Sequence, residues 1–234
     1  ALVTEGYPYD MSCFVAWGDK LASEGPAAFY SADYFADYPP GYILVLGLVS
    51  LVRKAFQLSY ESRWTYFLLA LIPAICDCAA VALLDHISRR YMGQGRAQRC
   101  LVLFAAFCPL TLFDTGIWKQ IDGAFVLPLL LCFWLLEERR YLLAAVLYGV
   151  ALAIKPQALL AGPVLAVCFL VAIADAVRDG KSPLKSVGQI FGGAALALLP
   201  PLLAGLPFYG AKNLVPSLID KYITTASGYQ YATI

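Results

Sequence analysis

The sequence predicts an all-α membrane protein, a polytopic helix bundle with about six transmembrane helices. Of the 234 residues, 61% are hydrophobic and only 14% are charged, and the mean hydropathy is +0.70. The apolar residues occur in runs that approach the roughly 20 residues a helix needs to cross a bilayer. Because lipid cannot satisfy exposed backbone groups, we expect these runs to cross as helices. The net charge of +1 gives no basic footprint, so no nucleic-acid partner is expected.

The predicted organisation has three parts. Residues 1–63 form a polar first outer loop with interfacial helices, residues 64–206 form the transmembrane core, and residues 207–234 begin a later outer loop. We expect a piece of a longer protein, since the chain starts without a methionine and ends in a predicted loop. The predicted spans are Trp64–Leu84, Cys100–Phe113, Ala124–Leu136, Tyr141–Ile154, Ala158–Val177 and Val187–Leu206.

The first loop contains two short stretches with helical character. Met11–Leu21 places its apolar side chains at near-helical spacing, and Asp10 just before it is either a helix cap or a chemically active group. Tyr42–Leu51 would cover only about 15–18 Å as a helix, against a hydrocarbon core of about 30 Å. We therefore expect Tyr42–Leu51 to lie along the membrane surface or to dip in and return.

Basic loops orient the predicted spans. Residues 85–99, 137–140 and 175–185 together hold nine of the 17 Lys and Arg residues, and the positive-inside rule places such short loops in the cytoplasm. If Tyr42–Leu51 does not cross, the first loop then shares the outer face with the polar segments at 114–122 and 155–157. If it does cross, the polar motifs are divided between the two faces, so the arrangement that assembles a site is favoured.

The polar and aromatic residues expected on this outer face are the candidate site. Asp10 is the candidate catalytic residue, because a carboxylate at the bilayer edge can act as general base for an alcohol. Lys119 and Lys155 could neutralise a phosphate as point charges. The other candidate substrate-binding residues are Asp37, Tyr38, Trp118, Gln120, Asp122 and Gln157.

Several of these residues also have a purely structural interpretation. Trp118 is equally typical of the aromatic belt at a membrane surface, and Lys155 of a helix end from which a lysine extends to water. Asp122 precedes a glycine and could simply form a turn. Asp77 lies in the middle of a predicted span, where a packing or hydrogen-bonding role is favoured over a catalytic one.

Cysteines and histidine give little support for a metal or cofactor. Six of the seven cysteines lie in apolar runs, so no disulfide framework is expected, and Cys76 and Cys78 are typical of helix packing. His86 is the only histidine in the sequence. No cofactor is predicted; a divalent metal is left open but is not expected to be obligatory.

Four ordered motifs carry a resemblance to a known class of enzymes. They read GYPYDMSCFVAW, DYPPGYILVL, WKQID and IKPQALL, with Asp77 in the span after the second motif. With the tail SGYQYATI, they resemble the GT-C class of integral-membrane glycosyltransferases. More narrowly, they are similar to bacterial mannosyltransferases related to the second mannosyltransferase of GPI-anchor assembly. The resemblance covers essentially the whole chain.

The resemblance implies a function and a role for Asp10. Enzymes of this class use lipid-phosphate-linked sugars and invert the anomeric centre, and the carboxylate of their first outer loop, which matches Asp10, serves as base. Many members have glycine where Lys119 stands. We therefore predict transfer of a sugar, mannose being favoured, from a polyprenyl-phosphate donor to a glycolipid, glycan or protein acceptor. The enzyme is expected in a bacterial plasma membrane, with its active site facing outward.

Two other classes of function remain open at this point. A transporter or flippase would need polar residues along a path through the bilayer, and often internal repeats, whereas only Asp77 lies mid-membrane. A structural membrane subunit would not collect acids and lysines on one face.

Overall fold

The computed structural model describes residues 4–31, 34–180 and 183–228, and all the regular structure within these ranges is helical. This confirms the predicted all-α class. Residues 229–234 of the tail motif and Lys181 of the last basic loop lie outside the described residues. The helices are α1 (Pro8–Glu24), α2 (Pro40–Ala55), α3 (Arg63–Met92), α4 (Arg96–Ala106), α5 (Asp122–Glu137), α6 (Tyr141–Ile154), α7 (Gly162–Arg178) and α8 (Pro183–Gly228).

Four helical stretches among the described residues are long and apolar enough to cross a membrane. They are Arg63–Met92, Arg96–Trp118, Pro156–Arg178 and Phe191–Ile223, and each overlaps one predicted span. The other two predicted spans lie in α5 and α6, which have 16 and 14 residues. These correspond to about 24 and 21 Å of helix, shorter than a hydrocarbon core of about 30 Å.

The first loop folds much as its apolar spacing predicts. Helix α1 begins at Pro8, earlier than predicted, and buries Met11, Phe14, Val15, Trp17 and Leu21 on one face. Its N-cap is Tyr7, so the interpretation of Asp10 as the cap is wrong. Helix α2 has 16 residues, about 24 Å; that it lies at the surface stays a prediction.

The chain divides into two compact units, each described by itself. The first comprises the described residues up to Ala36 together with Ile43–Leu127, and the second comprises Asp37–Tyr42 together with the described residues from Pro128 onward. In the first unit, α3 packs against α4 as an antiparallel pair. After α4 the chain makes a short turn and then a π-helical segment, Leu112–Trp118. Such wide helical turns are rare and often occur at functional sites.

The second unit is centred on the packing of α6 against α8. Helix α6 buries mainly small side chains, among them Ala144, Ala145, Ala151 and Ala153, which allow a close approach between helices in lipid. Tyr222 in α8 donates its hydroxyl to the carbonyl oxygen of Leu152 at 2.6 Å. Helix α8 contains a non-helical residue, Gly210, and continues to Gly228.

The helical structure of α8 extends into the segment predicted as the start of a loop. The sequence placed the end of the last span at Leu206, whereas the backbone is helical again from the break at Gly210 onward. The apolar stretch continues to Ile223. The assignment of residues 207–234 to the outer face stays a prediction.

Candidate active site

Asp10 is held by two side chains from the WKQID motif. It lies in the first turn of α1, where its Oδ2 accepts a hydrogen bond from the indole Nε1 of Trp118 at 2.9 Å. The same oxygen accepts a second, short hydrogen bond from Nε2 of Gln120. Within the described part of the chain, no side chain donates to Asp10 Oδ1. The carboxylate is therefore fixed in orientation through one oxygen, while the other is left for a different partner.

The backbone before and within the motif explains why both donors reach one oxygen. The π-helical segment ends at Trp118, and Lys119 adopts a left-handed conformation with φ 66° and ψ 40°. A left-handed residue reverses the local chain direction and is uncommon outside glycine and asparagine. The backbone N–H of Gln120 then bonds back to the carbonyl oxygen of Asp114 at 3.0 Å. This tight turn directs the side chains of Trp118 and Gln120 toward the same carboxylate, that of Asp10.

The N-terminal segment is tied to the same bend by one backbone donor and one side-chain donor. The Tyr7 N–H donates to the Trp118 carbonyl oxygen at 3.1 Å, and the Thr4 hydroxyl donates to the Gly116 carbonyl oxygen at 2.7 Å. Residues about 110 positions apart in the sequence are thus joined by two bonds that do not involve the Asp10 side chain. The start of α1 is therefore held to the motif by bonds other than those of the carboxylate.

Lys119 is buried beneath this bend. Its side chain is 1% exposed, and burial lowers the pKa of its ammonium group because a low-dielectric environment disfavours the charged form. Gly6, at φ 78°, passes so close that a Cβ atom there would lie 3.0 Å from Cδ of Lys119. The sequence did not predict this burial. The predicted contact of Lys119 with a donor phosphate stays a prediction.

Aromatic rings surround Trp118 on its exposed side. Tyr7 and Phe113 each meet the Trp118 ring edge to face, with ring centroids 5.7 and 6.0 Å apart. The three side chains are between 40 and 50% exposed. An exposed aromatic cluster beside a carboxylate suits either the stacking of a sugar ring or the membrane–water boundary.

Asp77 and Thr115 support the bend from the α3 side. The Thr115 hydroxyl donates to Oδ2 of Asp77 at 2.6 Å, and the carboxylate lies against Gly123 near the start of α5. Asp77 thus bonds to the π-helical segment, in agreement with the hydrogen-bonding role expected for it. Asp122 is the first residue of α5 and is within electrostatic range of Asp77. Asp122 is not among the residues that hydrogen-bond to Asp10 in the described part of the chain.

The remaining predicted site residues belong to the second unit. Tyr38 and Tyr42 have ring centroids 5.7 Å apart, and Pro39 and Pro40 are buried. Lys155 follows the last residue of α6, and the half-buried Asp37 is within electrostatic range of Lys221. Lys221 was not predicted as a site residue, because its sequence surroundings carry no recognisable motif.

Gly41 fixes the corner formed by residues 37–40 against α6. A Cβ atom at Gly41 would overlap the carbonyl group of Ala153, so the backbone approaches α6 two residues before Lys155. Gln157 lies in a short 3-10 segment after Lys155 and is exposed. Within the second unit, residues 37–41 therefore lie close to the end of α6, and Lys155, Pro156 and Gln157 follow directly after that helix.

Comparison with known families identifies a match over most of the chain. The sequence profile of glycosyltransferase family 87 matches residues 35–226, most of the chain. The chain belongs to glycosyltransferase family 87. It is therefore a membrane glycosyltransferase, an enzyme that takes a sugar donor and an acceptor, and the transporter and structural-subunit alternatives are set aside. No curated protein and no solved structure matched this chain.

The described residues of this glycosyltransferase offer no ready-made metal centre. Among them, no group of three or more His, Cys, Asp or Glu side chains could hold a metal ion. That no metal is obligatory stays a prediction.

Proposed function

We propose that this glycosyltransferase transfers a sugar, mannose being favoured, from a polyprenyl-phosphate donor to an acceptor hydroxyl, with inversion and with Asp10 as general base. The observation that supports the base is the geometry of its carboxylate. Oδ2 is occupied by Trp118 and Gln120, which keeps Oδ1 oriented for a proton from a substrate hydroxyl. A base must lie within hydrogen-bond reach of the proton it takes and must be held in place.

The proposed reaction is a single displacement. The acceptor oxygen forms a bond to the anomeric carbon while the bond from that carbon to the donor phosphate oxygen breaks. The hydroxyl proton passes to Asp10 Oδ1, and the lipid phosphate leaves with the electron pair. Attack from the face opposite the leaving group inverts the anomeric centre.

The second unit supports a lipid-linked donor. A cavity of about 380 Å³ is lined by aliphatic side chains and by Tyr222, whose hydroxyl is bonded to the Leu152 carbonyl oxygen. Two of its residues, Leu152 and Leu159, flank Lys155 in the sequence. A polyprenyl chain needs an apolar surface, and its phosphate needs a cation nearby, so this groove and Lys155 fit the two parts of such a donor.

The antiparallel pair of α3 and Arg96–Trp118 supports an outward-facing Asp10. The turn between the two helices of this pair is basic and lies at one end of the pair. It and the adjoining helix ends carry Arg89, Arg90, Arg96 and Arg99. Trp118, the partner of Asp10, lies at the other end of this stretch of 23 residues, which comprises α4, a short turn and the π-helical segment. If the basic turn faces the cytoplasm by the positive-inside rule, Asp10 faces outward.

The donor class can be tested directly with the full-length enzyme. In proteoliposomes, radiolabelled polyprenyl-phosphate mannose should support transfer, whereas a nucleotide-linked mannose should not. Lys155→Gln should raise the KM for the lipid donor about tenfold or more, the range for a charge-assisted contact. Lys212→Gln is the matched control, because Lys212 is exposed and lies in the same unit. Activity with the nucleotide sugar alone would refute the lipid donor, and equal effects of the two substitutions would refute the role of Lys155.

A further inference from the structure

A cavity lies at the turn between α3 and α4. It has a volume of about 310 Å³. Its position between the end of one candidate span and the start of the next puts it at the membrane boundary if the pair crosses. The lining residues are Asp85, Arg89, Gln94, Gln98, Arg99, Val102 and Leu103.

A hydrogen-bond network fixes one wall of this cavity. Gln98 is only 3% exposed and donates its Nε2 to Oδ1 of Asp85 at 2.8 Å and to the Ser88 hydroxyl at 3.1 Å. Arg89 forms an ion pair with the same aspartate at 2.7 Å. The single carboxylate of the cavity is therefore already engaged, and its negative charge is balanced within the wall.

The rest of the turn is positively charged. Residues 85–99 contain four arginines and one aspartate, so the segment keeps an excess of positive charge after the pair between Asp85 and Arg89. Arg99 lines the cavity, is exposed, and forms no ion pair with any described residue. A cation in this position favours an anionic ligand.

Apolar side chains continue the cavity along α4. Val102 and Leu103 follow Arg99 by one helical turn, and Leu103 is 57% exposed. A small soluble anion gains nothing from such a wall, whereas a phospholipid has a charged head and an apolar chain in this order. Basic pockets at the ends of membrane helices are a recognised setting for lipid headgroups.

We propose that this cavity binds the phosphate of an anionic membrane phospholipid, with Arg99 as the principal cation and Val102 and Leu103 against the start of an acyl chain. The site is separate from the proposed catalytic centre, since Asp10 bonds to the far end of the Arg96–Trp118 stretch. It therefore does not depend on the proposed donor or base.

The test uses full-length enzyme in detergent, titrated with phosphatidylglycerol or phosphatidylcholine, with bound lipid counted by native mass spectrometry. Phosphatidylglycerol should be retained in preference to phosphatidylcholine. Arg99→Gln should weaken its retention about tenfold or more, as expected for a charge-assisted contact, and Arg99→Lys should keep most of it. Arg96→Gln is the matched control: it removes the same charge one turn away, from a residue that does not line the cavity, and should cost about fivefold or less.

Three results would overturn the proposal. Equal losses of phosphatidylglycerol retention for Arg99→Gln and Arg96→Gln would mean that the lipid is attracted by the overall positive charge of the turn and not by a site at Arg99. Equal retention of the two lipids would rule out selection by charge. Displacement of the lipid by inorganic phosphate at similar concentration would indicate a site for a soluble anion instead.

Discussion

Asp10 and Asp37 both lie in the polar segment ahead of the first long span, and each is next to a tyrosine. Their surroundings in the structure differ. Asp10 accepts hydrogen bonds from two side chains, Trp118 and Gln120, while a backbone bond from Tyr7 to Trp118 also holds the start of its helix. Asp37 is the first residue of the corner 37–40, which contains two buried prolines. Gly41, directly after this corner, lies against the backbone of α6. The first arrangement controls the direction of a carboxylate, and the second controls the path of a chain. We therefore infer that catalysis depends on Asp10 and architecture on the corner.

The largest expected effect comes from removing the charge of Asp10. Asp10→Asn keeps the shape of the side chain, but the amide cannot take up the hydroxyl proton. Transfer by the full-length enzyme should fall 10²- to 10⁴-fold, the usual range for a positioned general base, while a cooperative thermal transition in detergent should show that the variant is still folded. The measurement is kcat with saturating lipid donor.

Asp37→Asn is the matched substitution for this comparison. It should cost less than about tenfold in kcat, because the proposed base is untouched. If Asp10→Asn retains activity within about threefold of the parent, Asp10 is not the general base. If Asp37→Asn is the more damaging of two well-folded variants, the roles of the two aspartates are reversed.

A smaller effect should follow from loosening Asp10 without changing it. Trp118→Phe keeps an aromatic ring beside Tyr7 and Phe113 but removes the indole N–H that bonds to the carboxylate. A hydrogen bond to a charged group contributes about 1.5–3 kcal/mol, so kcat should fall roughly tenfold to a hundredfold. Trp64→Phe is the control, since Trp64 is exposed on α3 and its ring packs only against Phe67 among the ring contacts described. Equal activities for the two variants would mean that Trp118 is only an aromatic of the membrane boundary.

The proposed structural role of the corner 37–40 can be tested at Gly41, the residue that follows it. In Gly41→Ala, the added methyl group would overlap the Ala153 carbonyl, and such overpacking costs about 1–3 kcal/mol of stability. The thermal unfolding temperature should drop, and any loss of transfer should follow the loss of folded protein. Gly188→Ala is the control, because no atom of the described residues lies within 4 Å of the added methyl group and alanine is favourable in a helix. A stable Gly41→Ala enzyme with reduced kcat would instead place the corner in the reaction.

The sequence predicted the fold class and grouped Asp10 with the segment at 117–122, but it did not predict the hydrogen bonds or the local geometry that join them. Apolar run lengths determine where helices form, and the spacing of Phe14, Trp17 and Leu21 indicates the buried face of α1. The residues of the WKQID motif were assigned to the site because the predicted topology placed them on the same face as Asp10, and two of them bond to Asp10 in the structure. The burial of Lys119 could not be predicted, because it depends on a π-helical segment and a left-handed residue with no clear sequence signature. The bond between Asp77 and Thr115 joins residues 38 positions apart and leaves no periodic pattern.

Asp19 adds a third aspartate to the comparison, one that we expect to be purely structural, and its effect should be the smallest. It lies on the same helix as Asp10, accepts hydrogen bonds from Arg53 at 2.7 Å and from the Ser50 hydroxyl, and so connects α1 to α2. Burial alone would raise the pKa of Asp19. The hydrogen bonds from Arg53 and Ser50, with the charges of Arg53 and Lys54, outweigh burial and hold the pKa below its ordinary value of 3.8.

Because the folded state lowers the pKa of Asp19, its stabilising contribution is complete above the ordinary value and is lost as the pH falls through the folded value. Asp19→Asn should therefore destabilise the enzyme by about 1–2 kcal/mol at neutral pH, a range appropriate to a partly exposed ion pair. The difference in unfolding temperature between parent and variant should shrink as the pH falls below the ordinary value of 3.8 and through the lower folded-state value. At neutral pH, kcat per folded molecule should not change, in contrast to Asp10→Asn. A loss of kcat without a loss of stability would mean that the carboxylates of α1 act together in the reaction, and the separation of a catalytic from a structural aspartate on this helix would fail.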